Sequence, residues 1–177
     1  MRCALLMGAL GYVFLAHSQT VTDRAIRYND ALVERQVEAG QLMQLFGEQL
    51  QKNQIRQAEK TLEEIQNTLQ QHLKALETTP PFEGETALRD ALTELFRLYR
   101  SVAQNEYQAI LAEYRSAEVT GKLQKERVQK ILDDIKNREA QADAVFLGKQ
   151  KEFAARYGFA LKTNKLEAGN FQDSKRP

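Results

Sequence analysis

The residues best suited to chemistry lie in short polar groups within otherwise apolar, periodic stretches. They are Tyr28-Asn29-Asp30 with Gln36, Asn105-Glu106-Tyr107, and Arg138-Glu139. Amides, carboxylates and phenols converging from three helices could line a polar pocket for a small ligand, opening around Asn29, Asp30, Asn105 and Tyr107. The same groups could instead pair with one another, as an interior layer that fixes how helices slide past each other. Lys130 joins the set as the expected partner of Glu106.

Other chemistry is excluded by residue type. Cys3 is the sole cysteine and lies within the first eighteen residues, which read as a removable leader, so the chain past residue 18 has no thiol for catalysis, a Cys-based zinc site or a disulfide. Past residue 18 one histidine remains, His72, and position 69 is Leu rather than the Glu that a di-metal Glu-x-x-His motif needs. A lone His beside the Leu69/Leu73 seam fits a boundary position better than a ligand. No Gly-x-Ser-x-Gly, phosphate-cradling Gly loop or haem-attachment motif occurs. Neighbouring carboxylates such as Glu63-Glu64 and Asp133-Asp134 point roughly 100° apart on a helix and do not converge. No catalytic residue and no cofactor is expected.

Those side chains must be positioned by helices. Proline is rare, and two of the three stand together at Pro80-Pro81, where a helix cannot continue. Apolar spacing predicts four helical segments at about 22–51, 54–77, 85–115 and 120–157. Thr20 or Thr22 is the expected N-cap of the first. In the second, Ile55, Ala58, Leu62, Ile65, Leu69, Leu73 and Leu76 step by three and four, the seam of a helix packed at a shallow angle. The third offers Leu88, Leu92, Leu95, Tyr99, Val102 and Ile110. The fourth offers Val128, Ile131, Ile135, Ala142, Val145, Phe146 and Phe153. In the first, Ile26, Val33, Val37, Met43 and Leu50 mark the expected face. Gly40 and Gly47 there suggest close approach of a neighbouring helix, since each costs about 1 kcal/mol against Ala. Gly158 suits a left-handed cap, with Phe159 folding back onto Phe153.

Short connections favour an all-α, antiparallel up-down four-helix bundle over residues 19–161, with 162–177 a flexible basic tail. A long coiled-coil hairpin that dimerises is the alternative. A turn near Glu118 would set Arg97 beside Glu139 and Glu106 beside Lys130.

The N-terminus carries a different signal. Arg2 precedes fourteen uncharged residues, Cys3 to Ala16, and Ala16-His17-Ser18 has a small-x-small form. This reads as a secretory signal peptide over 1–18, with cleavage before Gln19. The apolar run falls short of the roughly 20 residues that a membrane span needs. Lys and Arg number 25 and Asp and Glu 24, so loss of Arg2 leaves no net charge. The halves differ: residues 19–119 carry 11 basic and 16 acidic residues, and 120–177 carry 13 and 8. A basic helix packed beside acidic ones explains that asymmetry, and an exported neutral protein is a poor nucleic-acid binder.

The leader, YNDALVERQ (residues 28–36), NEYQAIL (105–111) and FAARYGF (153–159) resemble conserved helical surface or envelope proteins of Gram-negative-type bacteria. That resemblance implies a place in the cell envelope and no assigned activity. Such proteins are commonly lipoproteins, and Gln19 stands where a lipidated Cys would be. The expectation is an exported, periplasmic or surface protein, non-enzymatic, monomeric or homodimeric, without a membrane span once cleaved. It would act by contact with an envelope protein or polymer. A small-molecule carrier using the polar set and a periplasmic chaperone are the alternatives.

Overall fold

The computed structural model describes residues 8–162, with side chains from Thr20 onward. The expected signal segment 1–18 and the tail beyond Lys162 lie outside the described residues, except that the backbone of the first helix is described from Gly8. Among the described residues the regular structure is helical: α1 (Gly8–Gln51), α2 (Ile55–Thr78), α3 (Ala87–Gln104), α4 (Glu106–Thr120) and α5 (Lys125–Tyr157). None of these helices is long and apolar enough to cross a membrane. α1 packs on α2, α2 on α3 and α4, and α5 on α3, α4 and α1.

The connections follow from local chemistry. Asn53, at φ +55°, closes α1 with two bonds, Asn53 N to Leu50 O and Gln54 N to Gln49 O. Asn tolerates that left-handed conformation better than most residues. After Pro80-Pro81 the chain makes a tight turn. Phe82 and Glu85 exchange backbone bonds of 3.0 and 2.8 Å, and Glu83 and Gly84 between them both have positive φ, as a type I′ turn requires. Gly158 at φ +71° ends α5 with Phe159 N bonded to Ala154 O, and the Phe159 ring lies 6.1 Å from that of Phe153.

The core follows the expected seam on α2 and α3. Ile55, Ala58, Leu62, Ile65, Leu69 and Leu76 are buried, as are Leu88, Leu92, Leu95, Tyr99, Val102 and Ile110. Five expectations need correction. The third segment is two helices, broken at Asn105, whose φ −115° and ψ −69° depart from the helical values. Gln66 of α2 donates to Ala103 O beside the break, at 3.1 Å. Thr22 is no N-cap, because α1 starts earlier, and its hydroxyl donates to Tyr157 O at 2.8 Å. The inward face of α1 is Ala25, Leu32, Ala39, Phe46 and Leu50, a seven-residue stripe that leaves Ile26, Val33 and Val37 half-buried on its flanks. Val145 of α5 is 60% exposed, because the neighbouring Phe146 takes the core position. At Gly40, a Cβ would meet nothing within 4 Å, so close helix approach does not explain that glycine.

Candidate functional site

The polar residues meet midway along α5, where it faces α1 on one side and α3–α4 on the other. Cross-helix partners run in opposite directions along α1 and α5. Thr22 meets Tyr157, Asn29 accepts from Gln150 at 3.0 Å, and Gln36 donates to Asp143 at 3.3 Å. Steps of seven on both helices keep these groups on one seam. On the other side, Tyr99 of α3 donates its hydroxyl to the same Asp143 oxygen at 3.0 Å. Arg138 donates to Glu106 Oε1 at 2.5 Å and to Asp134 at 3.2 Å.

Burial sets the electrostatics of the layer. Tyr99 and Tyr107 are buried, and desolvation raises both phenols above their ordinary range, with Asp143 adding to the effect on Tyr99 and Glu139 to that on Tyr107. Glu139 is pushed up to about 7 by burial and by the charge of Asp143 one turn away, against the pull of Arg138. Its Oε1 is buried without a hydrogen-bond partner. Asp143 is raised by burial and held back by its bonds from Tyr99 and Gln36. Glu106 Oε2 is also buried and unpartnered. A carboxyl that stays neutral in such a place loses far less than an ionised one.

The expected set is therefore only partly one site. Gln36, Glu106, Tyr107, Arg138 and Glu139 belong to the layer or border it. Asn29 is 5% exposed and lies two turns away on the same seam. Asp30 sits at the edge, where it pairs with Lys162 at 3.1 Å. Asn105 is exposed, and its amide donates to Ser101 O at 2.9 Å. Lys130 is exposed and not the partner of Glu106: Arg138, two turns further along α5, takes that place. The reason is that α4 runs to Thr120 and Gly121–Gln124 make the connection, so the chain reverses later than Glu118. Arg97 likewise pairs with Glu94 on its own helix and not with Glu139. Tyr99 and Asp143 were missed as members. Asp143 carried a signal, lying four residues after Glu139 and hence on the same helix face.

His72 stands apart from this layer. Its ring stacks on Phe96 at 5.4 Å and its Nε2 lies 3.1 Å from a Glu38 oxygen, without the alignment of a hydrogen bond. Burial lowers its pKa, with Glu38 opposing.

No group of three or more His, Cys, Asp or Glu positioned for a metal ion occurs among the described residues. Two grooves are open to solvent. One of about 460 Å³ runs between α2 and α3 past Leu73, Glu77, Arg97 and Arg100. One of about 300 Å³ lies along α1 by Asp30, Val37, Glu38 and Lys162. Asn29, Asn105, Glu106, Tyr107 and Glu139 line neither. No protein-family model, curated protein or solved structure matches the chain.

Proposed function

We propose that this is an exported, non-enzymatic protein of the cell envelope or surface that acts by contact, as a structural element or as a partner of another envelope component. The helices are read as an antiparallel up-down-up-down four-helix bundle, with α3 and α4 forming one broken rod. The observation that carries the reading is where the polar side chains go. Gln36, Tyr99 and Asp143 join three helices, Arg138 and Glu106 a further pair, and Asn29 and Gln150 another. Side chains engaged with each other fix helix register and are not arrayed around a substrate. The leader-like residues 1–18 support export.

Crosslinking in intact cells followed by mass spectrometry tests contact, and a defined envelope partner is the expected result. N-terminal sequencing of the cellular protein tests export, with Gln19 expected first. A cytosolic product beginning at Met1 would overturn the export reading. Turnover of a substrate by the purified protein, abolished by Glu106→Gln, would overturn the non-enzymatic one.

A further inference from the structure

We propose that Glu139 is a proton-operated latch on α5: it holds a proton while α5 is seated between α1 and α3–α4, and losing that proton loosens α5 along this seam. The inference goes beyond the contact function and does not rest on it.

The geometry is that of a carboxyl without a counter-charge of its own. Glu139 Oε1 is buried and unpartnered. The cation beside it, Arg138, is drawn to Glu106 of α4 and Asp134 of α5. From α3 the facing titratable group is Tyr99, and from α4 it is Tyr107, both buried phenols. Along α5 itself the facing group is Asp143, a second carboxylate, already engaged by Tyr99 and Gln36. From α1 the register of Gln36 with Asp143 brings Gly40, one turn on, opposite Glu139, one turn back. That position supplies no side chain, and the space at its Cβ is empty. The α1 charges on either side of Gln36 are directed elsewhere, Arg35 to Ala31 O and Glu38 to His72 of α2. An ionised Glu139 would thus meet phenols, a like charge and a bare glycine, opposed only by the charge of Arg138, which Glu106 and Asp134 already engage. Its proton is held up to about 7, against the 4.5 of a free side chain.

The sign follows. The folded state binds the proton more tightly than the unfolded one, so seating of α5 is unpenalised below pH about 4.5 and weakens as pH rises through about 7. The ceiling on the change in the opening equilibrium is about 300-fold, reached above pH 7.

The experiment is hydrogen–deuterium exchange of the purified protein at pH 6.0 and 8.5, corrected for the intrinsic pH dependence of exchange. Carboxyl ¹³C NMR of labelled Glu accompanies it. The expected result is a Glu139 resonance that titrates well above 4.5. Amides of residues 135–146 should open about tenfold more at the higher pH, and Glu139→Gln, which mimics the protonated form, should remove that difference. A Glu139 resonance that titrates near 4.5 overturns the proposal. So does an α5 pH dependence that is the same in Glu139→Gln. Because the resonance is read in the unaltered protein, failure of the variant to fold leaves the test decisive.

Discussion

The pairing of Arg138 with Glu106 can be put in energy units. The two side chains are 33% and 22% exposed, between the exposed ion pairs worth about 0–1 kcal/mol and the buried ones whose breaking costs about 3–5 kcal/mol. Charge assistance roughly doubles an ordinary hydrogen bond. A coupling of about 1–2 kcal/mol is the resulting expectation. Arg138→Leu alone should cost more than that coupling, about 2–3 kcal/mol, because Glu106 Oε2 is already unpartnered and the change strands the whole carboxylate. Glu106→Leu alone leaves Arg138 with Asp134 and should cost less. The double variant should then be more stable than the two single costs imply. Urea denaturation followed by circular dichroism at one fixed pH measures all four corners of the cycle. Lys130→Leu with Glu106→Leu is the control, and those two should add within about 0.5 kcal/mol. Coupling below about 0.5 kcal/mol at 106/138, or a larger value at 106/130, would refute the register.

Other perturbations separate packing from backbone and charge. Leu69 is fully buried, and Leu69→Ala should cost about 2–5 kcal/mol, whereas Val145→Ala, at an exposed site, should stay within about 0.5 kcal/mol; chemical denaturation reads both. Gly40→Ala should stabilise by up to about 1 kcal/mol, since nothing opposes a Cβ there. Gly158→Ala should destabilise by about 1 kcal/mol, because its φ of +71° disfavours a side chain, and thermal melts should move in opposite directions for the two. For pH, Glu139 favours the fold in acid and withdraws about 2–3 kcal/mol as pH rises from about 4.5 to 7. His72, with its pKa lowered by burial, acts oppositely: its stabilisation is full above its ordinary 6.5 and is lost as pH falls through its folded value. Denaturation midpoints against pH should show both limbs in the native chain, and Glu139→Gln should remove the Glu139 loss between about pH 4.5 and 7 while keeping the His72 limb and the contribution of the buried Asp143.

Sequence reasoning reached furthest where one physical signal dominated. On α2 a clean three–four alternation picked out Leu62, Ile65 and Leu69, and at the end of α5 a glycine followed by an aromatic marked the stop. It failed on α1, where Ala25, Leu32 and Ala39 form the inner stripe. Alanine carries little hydrophobic signal, so the gaps at Ala25 and Ala39 broke up the stripe through Leu32 and Phe46, and Ile26, Val33 and Val37 on the flank outweighed it. The break at Asn105 was hidden because one non-helical residue barely disturbs apolar spacing. The site was legible as a set of residue types but not as a set of pairs. In an antiparallel pair, moving the point of reversal by a few residues moves every partner by twice as many. That is why Lys130 was named where Arg138 stands, and why Tyr99 and Asp143, which carry the bonds, were left out.

The turn at Phe82–Glu85 has a bearing on how two copies of this chain could exchange parts. Trading α3–α5 between molecules would need residues 79–86 to straighten into an open hinge. That stretch is fastened to both halves. The Phe82 ring packs 5.3 Å from Tyr28 of α1 and 4.9 Å from Tyr157 of α5. Arg24 of α1 pairs with Glu83, and Arg156 of α5 pairs with Glu85. Straightening the hinge would draw a phenylalanine out of an aromatic cluster, at about 1.5–3 kcal/mol for the ring alone, and would break both ion pairs in the same movement. The segment joining the two helical halves therefore works as a clasp, holding each chain's second half against its own first half and opposing swapped dimers.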